Sequence, residues 1–451
     1  MLLNAVVIAV LVMLALAILR VHVVISLFLG ALVGGLVAGL GLSDTMVAFQ
    51  DGLAGGAKIA LSYALLGAFA MAVAHSGLPQ LLADWLIAKL DNPDQSRAER
   101  RARWTKWGII GGIVAMAIMS QNLIPIHIAF IPLLIPPLLV VMTRLRIDRR
   151  AIACALTFGL VTTYMFLPIG FGRIFLYDLL YKFIGEAGLD VSAVNPLLAM
   201  GIPALGMVLG LLAALFVTYR SPRDYEVVEV EEMSERTIID PRKVTVAIIA
   251  IIVCVALQTW LAVAGSQADP MLVGTLVGLL LFVGTGAVKW KDADHVFTGG
   301  MRMMSLIGLI MITANGFASV MKATGAIEPL VQASADLFQG NRAGAAFAML
   351  FVGLVITMGI GSSFSTLPII TAIYVPLCVA MGFSPMATVA IVGTAGALGD
   401  AGSPASDSTL GPTAGLNVDG QHDHMSDTVI PTFIHFNIPL LIAGWIAAMV
   451  L

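Results

Sequence analysis

Ten apolar runs, each close to the length of a bilayer crossing, constrain this chain more than any other feature: 4–19, 23–42, 59–75, 151–178, 197–219, 244–264, 271–288, 303–321, 386–413 and 431–451. A crossing takes about 20 apolar residues. Inside lipid every backbone polar group must be satisfied by the chain itself, so only helices and closed barrels span. Runs of this length predict helices. Composition agrees, with 59% hydrophobic and 11% charged residues and a mean hydropathy of +0.98, far from a soluble average. The expected fold is an all-α polytopic membrane protein embedded in a lipid bilayer. No basic residue precedes the first run and the second follows almost at once, so the first reads as a retained span and not a cleaved signal. Cys154, Cys254 and Cys378 are scattered in apolar runs without metal spacing and read as small buried hydrophobes. A net charge of -3 is too small to indicate a charged partner, and no nucleic acid is expected.

Two further stretches, 107–143 and 345–382, are too long for one helix and are interrupted by Ser120-Gln121-Asn122 and by Gly361-Ser362-Ser363-Phe364-Ser365-Thr366. Both read as re-entrant helical hairpins. Arg97, Arg100, Arg101, Arg103 and Lys106 precede the first stretch, and Arg144, Arg146, Arg149 and Arg150 follow it. The positive-inside rule then places both flanks in the cytoplasm, so the segment enters and leaves on one side. Threading the remaining spans from that anchor leaves Lys58, Lys182, Lys322 and Arg342 outside and Arg173 within the membrane, with every other Lys and Arg inside. Both termini are expected to be periplasmic.

An internal repeat organises the chain. Adding 248 aligns Phe49 with Phe297, Gly52 with Gly300, Ile59 with Ile307, Leu61 with Leu309, Phe69 with Phe317 and Gly77 with Gly325; adding 236 aligns Pro168 with Pro404, Pro203 with Pro439 and Leu205 with Leu441. Five crossings separate equivalent positions, so the halves are expected to lie inverted, 1–219 and 244–451, joined by a charged cytoplasmic linker, 220–243. Inverted repeats with paired hairpins and paired broken helices mark secondary transporters, with the site between repeats at the midplane.

The second repeat carries the main motif. Gly399-Asp400-Ala401-Gly402-Ser403-Pro404-Ala405-Ser406-Asp407-Ser408-Thr409 sets two carboxylates and four hydroxyls inside the apolar run 386–413. An intramembrane carboxylate costs a few kcal/mol on insertion scales and usually marks an ion path. Sodium takes hard oxygen ligands, and a broken helix exposes carbonyls. Asp400, Ser403, Ser406, Asp407, Ser408 and Thr409, with Ser362, Ser363, Ser365 and Thr366 of the second hairpin tip, therefore form a candidate Na+ site. An Asp there could exchange a proton for Na+. The bland alternative is that the hydroxyls and Pro404 only cap the next half-helix and that one Asp is structural. Gly359 and Gly361 serve either the site or close packing. His422 and His424 read as solvent-facing or gating groups, and His127 and His435 as satisfied core histidines.

By the second register Asp400 corresponds to Tyr164, Asp407 to Phe171 and Thr409 to Arg173. Arg173 needs a partner, either Asp400 or Asp407 in a structural ion pair or a substrate carboxylate.

The 399–409 run, with Gly411-Pro412-Thr413 and Asp419-Gly420-Gln421-His422-Asp423-His424, resembles the bacterial Na+/H+ antiporter family of the ion transporter superfamily. The tip Ser120-Gln121-Asn122 is similar to the superfamily's Ser-Asn-Thr tips, and departs from them at Gln121 and Asn122. The resemblance implies a homodimer with a fixed scaffold and a transport domain that moves as an elevator. The expected function is secondary active transport in the bacterial inner membrane, with Na+ and/or H+ as coupling ions and no cofactor. Na+/H+ exchange leads; the alternative is a Na+- or H+-coupled permease for an amino acid such as histidine or another cationic or polar one. A channel would need rings of ligands along a pore. A pump or enzyme would need a phosphate-binding motif or soluble catalytic domain that the sequence lacks.

Overall fold

A computed structural model describes residues 4–19, 21–78, 81, 98–122, 131, 135, 138–139, 141–226, 240–264, 268–338, 340–360, 363–404 and 406–451. Gly361, Ser362, His127 and linker residues 227–239 lie outside the described residues. The protein is all-helical, with no strand among the described residues.

The first half contains α1 (Ala5–Ile18), α2 (Val23–Val37), α3 (Gly41–His75), α4 (Ala98–Asn122), α5 (Arg149–Phe166), α6 (Phe171–Glu186) and α7 (Pro196–Thr218). The second contains α8 (Pro241–Val263), α9 (Pro270–Gly284), α10 (Trp290–Ala323), α11 (Ile327–Phe338), α12 (Arg342–Ile360), α13 (Ser363–Ala380), α14 (Pro385–Ala397), α15 (Asp407–Leu416) and α16 (His424–Val450). Each apolar run is helical, with 151–178 divided between α5 and α6 and 386–413 between α14 and α15. Among the described residues, α7, the Pro241–Leu261 part of α8 and α16 are long and apolar enough to cross a membrane by length and composition, and α5 with α6, bent by 52°, makes a fourth if taken as one span. The expected ten crossings are not reproduced by that measure, because turns and breaks leave helices such as Val24–Val37 and Pro270–Gly284 shorter.

Helix starts follow local chemistry. Asn195 accepts from Leu197 N ahead of Pro196, Asp269 from Met271 N ahead of Pro270, and Ser384 from Ala387 N ahead of Pro385. Each pairs a polar cap with a proline whose missing N–H would be unpaired anyway.

The longest helices, α3 (35 residues) and α10 (34 residues), pack along each other. Their backbones meet where side chains are missing. A Cβ on Gly52 would lie 2.6 Å from the Asn315 carbonyl oxygen, and one on Gly300 would lie 2.2 Å from that of Gly67. Around a second centre, α5 is buried along nearly its whole length and α14 from Ala387 to Ala397. Helices without a polar face are core helices. Both run into backbone breaks, at 167–170 and 398–406. The three cysteines are buried and free. His435 bonds the Pro431 carbonyl at 2.7 Å and the Thr218 hydroxyl at 2.8 Å, a satisfied core histidine.

The first residues of the linker remain largely exposed and are held by specific contacts. Asp224 pairs with Arg146 at 2.7 Å, Arg223 with Asp427 at 2.8 Å, and Glu226 exchanges two hydrogen bonds with the Gln421 side chain. These partners lie just before α5, in the loop before α16 and in the first turn of α16, so the linker touches both parts of the chain.

Candidate functional site

The second break has a definite construction. Helix α14 ends as Leu398 turns extended and Gly399 takes φ +89, a left-handed conformation natural to glycine. A short turn, Asp400–Gly402, then delivers the carboxylate inward, and Gly399 N donates to Asn437 Oδ1 at 2.9 Å, anchoring the break to α16. Ser406 caps α15 by accepting from Ser408 N at 3.1 Å.

Asp400 is buried, with 6% of its surface exposed. The Tyr164 and Ser406 hydroxyls donate short hydrogen bonds to it, Ser363 donates at 3.0 Å and Ser408 at 3.4 Å. Ser363 and Tyr164 lie 2.7 Å apart. Four hydroxyls from α5, α13, the break and the first turn of α15 therefore converge on one carboxylate, and no basic side chain contacts it among the described residues. Hydrogen bonds alone do not neutralise a buried charge. Hydroxyls that donate to a carboxylate can also turn lone pairs toward a cation. The cluster suits a proton or a small monovalent cation.

Other predicted residues divide around this cluster. Ser403 donates to the Met358 carbonyl at 3.1 Å, and Thr409 bonds the carbonyls of Ser403 and Ser406; both brace the break and do not touch Asp400. Asp407 opens α15 and makes no side-chain hydrogen bond among the described residues, but its charge reaches the Asp400 carboxylate. Thr366 is buried one turn into α13. Ser362 lies outside the described residues, as does the side chain of Ser365.

Ser120-Gln121-Asn122, at the end of α4, meets the first break. Gly170 has φ +55, and a Cβ there would stand 1.4 Å from the Asn122 carbonyl oxygen. Asn122 Nδ2 donates to the Thr163 carbonyl at 3.3 Å, while Ser120 donates to Ala117 in its own helix at 3.1 Å. Gln121 Oε1 and Asn122 Oδ1 are buried without a hydrogen-bond partner among the described residues.

Arg173 corrects one alternative. It pairs with neither Asp400 nor Asp407; its guanidinium lies 5.7 Å from the Tyr177 ring centroid, one turn along its own helix. The aromatic rings of Tyr164, Phe171, Phe175 and Phe364 pack on one another beside the carboxylate.

Two features escaped sequence reasoning. Tyr164 is a direct partner of Asp400, although the repeat register had already matched the two positions. Arg149, counted only as a cytoplasmic charge, is fully buried and holds Asp419 through two bonds of 2.6 Å, with Tyr225 stacked 4.2 Å from its guanidinium. Burial alone would raise the Asp419 carboxyl, but Arg149 outweighs it and holds the group below its ordinary range. The neighbouring histidines are not simply solvent-facing. His424 bonds the Pro404 carbonyl at 2.9 Å and Thr413 at 2.8 Å, tying the loop to the break. His422 is buried against Thr428, and burial pushes its imidazole down to about 4, although Asp427 pulls the other way. No group of three or more metal-ligating side chains occurs among the described residues.

The helical fold is shared with solved membrane-transporter structures. A YdaH transporter of Alcanivorax borkumensis superposes with TM-score 0.56 at 12% identity, covering 90% of this chain and 88% of that one. MtrF of Neisseria gonorrhoeae, from a class of antimetabolite efflux pumps, superposes with TM-score 0.58 at 16% identity, covering 90% and 84%. Residues 155–445 match the Na+/H+ antiporter family, residues 4–90 match a second Na+-H+ antiporter family, and the chain belongs to the Na+/H+ antiporter family. The family and these structural neighbours are transporters, not enzymes. An uncharacterized membrane protein of Vibrio parahaemolyticus is 54% identical over 99% of this chain and all of its own length. One of Haemophilus influenzae is 50% identical over the full length of both. "Putative amino acid transporter YuiF" of Bacillus subtilis is 49% identical over 99% of this chain and all of its own.

Proposed function

We propose that this protein is a secondary active transporter of the bacterial inner membrane in which Asp400 binds Na+ and H+ by turns. The observation that carries this reading is the buried carboxylate, ringed by four hydroxyls and touched by no basic side chain among the described residues. Burial without a basic partner favours a bound proton or cation on such a group, and one site that takes either in turn is the simplest antiport. Asp400, Tyr164, Ser363, Ser406 and Ser408 hold the ion, with carbonyls of the break completing its oxygen shell. Asp407, at the first turn of α15, attracts the cation toward the break.

Two inverted repeats form the frame. Positions related by a two-fold axis touch each other only near that axis. Tyr164 and Asp400, 236 residues apart, share a hydrogen bond, and a Cβ on Gly308 would lie 3.1 Å from that of Ala60, 248 residues earlier. Contacts away from the axis are reciprocal, Gly52 with Asn315 and Gly300 with Gly67. In this reading α3 and α10 belong to a scaffold that also forms a homodimer, the broken helices and hairpins move as an elevator, and both termini are periplasmic.

A second reading, an ion-coupled amino acid permease, is favoured by the Bacillus subtilis relative's name and by Arg173, which has no carboxylate partner among the described residues. A thermal-shift screen separates them, since a ligand of the folded state raises its stability as RT ln(1 + [L]/Kd). Sodium should raise Tm in wild type and not in Asp400→Asn; no sodium shift in wild type contradicts the ion site. An amino acid shift lost in Arg173→Lys supports the permease, because a point ammonium cannot replace a two-pronged guanidinium.

A further inference from the structure

A cavity of about 760 Å³ lies between the scaffold pair and the transport elements, walled by α3, the ends of α6 and α10, the start of α11 and the middle of α13. None of the hydroxyls that bind Asp400 lines it, and its volume is in the range that takes small organic ligands. Three carboxylates, Asp51, Glu186 and Glu328, and one ammonium, Lys322, share it. Charges at this density do not face lipid, so the chamber is aqueous. Glu186 sits 3.8 Å from Lys182, whereas Asp51, Glu328 and Lys322 form no ion pair among the described residues. Two carboxylates and one ammonium are thus available in one chamber, beside the apolar surfaces of Phe183 and Ile327.

Packing does not require these charges. The 248 register equates Asp51 with Gly299, Asn315 with Gly67, Ser319 with Met71 and Lys322 with Ala74. The other end of the same helix pair therefore packs with glycine, methionine and alanine where this end carries polar groups. At these four pairs it is the cavity end that carries the polar side chains.

We propose that this cavity binds a basic α-amino acid, with its carboxylate at Lys322 and its two cationic groups at Asp51 and Glu328. The charges of such a solute, two positive and one negative, mirror those left unpaired in the wall. The proposal deepens the permease reading and rests on it; the cavity is the vestibule from which cargo reaches the broken helices, and α13 joins the two, with Thr371 in the cavity wall and Ser363 at Asp400.

Calorimetric titration of the purified full-length protein in saturating Na+ tests this with L-lysine, 1,5-diaminopentane, which lacks the carboxylate, and L-norleucine, which lacks the side-chain cation. Lysine should bind best, each missing charge weakening affinity about tenfold or more. Lys322→Gln should erase the preference for lysine over the diamine, and Asp51→Asn or Glu328→Gln the preference over norleucine, all three keeping the sodium thermal shift. Equal binding of the three probes, or lysine binding untouched by all three substitutions, overturns the proposal. So does absent lysine binding with an intact sodium shift, which leaves the Asp400 site standing. Charge-selective lysine binding without any sodium shift supports the cavity and contradicts the ion site instead.

Discussion

At Asp400 the chemistry rests on hydroxyls, and Tyr164 is the most informative of them because its ring and its oxygen do separate things. The ring packs against Phe175 with centroids 4.9 Å apart, while the oxygen bonds the carboxylate. Tyr164→Phe keeps the packing and removes one oxygen ligand. Sodium affinity, read from the concentration dependence of Tm, should fall about tenfold, the scale of a hydrogen bond to a charged group, with the protein still folded. Unchanged affinity would make Tyr164 a packing residue only. His422 makes a different prediction. Its imidazole titrates near 4 when folded against an ordinary 6.5, so between those values the unfolded chain binds more protons than the native one. The stability it contributes is full above pH 6.5 and is lost as pH falls toward 4, by up to about 3 kcal/mol. The Tm of wild type should therefore drop more steeply over that interval than that of His422→Gln, and parallel curves would refute the assignment.

At the scale of elements, the sequence is informative wherever a local rule decides the outcome. Apolar runs mark helices, Pro196, Pro270 and Pro385 mark their starts, and the polar run from Gly399 marks the break. What stays hidden depends on partners far along the chain. Arg149 and Asp419 are 270 residues apart, and nothing near Arg149 distinguishes it from the basic residues that flank the first hairpin. The cost of breaking such a buried pair makes it a brace for the start of α5. Ser403 and Thr409 look like ion ligands by type, yet backbone carbonyls within reach claim their hydroxyls. The hairpin is testable in its own right. Single cysteines near Arg101 and Arg146 should both react with a membrane-impermeant maleimide only from the cytoplasm. Periplasmic labelling at either position would mean that the segment crosses once.

For the whole molecule, the proposed inverted repeat would account for a contact that no single motif explains, since register partners that look unrelated, Tyr164 and Asp400, meet. Two-fold geometry predicts that meeting only once the axis is located, and the sequence does not locate it. In the proposed elevator, Asp400 lies between scaffold and moving elements that expose it to either side in turn. Proton flux driven by a sodium gradient, followed with a pH-sensitive dye trapped in proteoliposomes, tests this most directly. Wild type should move protons against an imposed Na+ gradient, and Asp400→Asn, folded and inserted to the same extent, should move none. Flux through Asp400→Asn close to that of wild type would contradict the account.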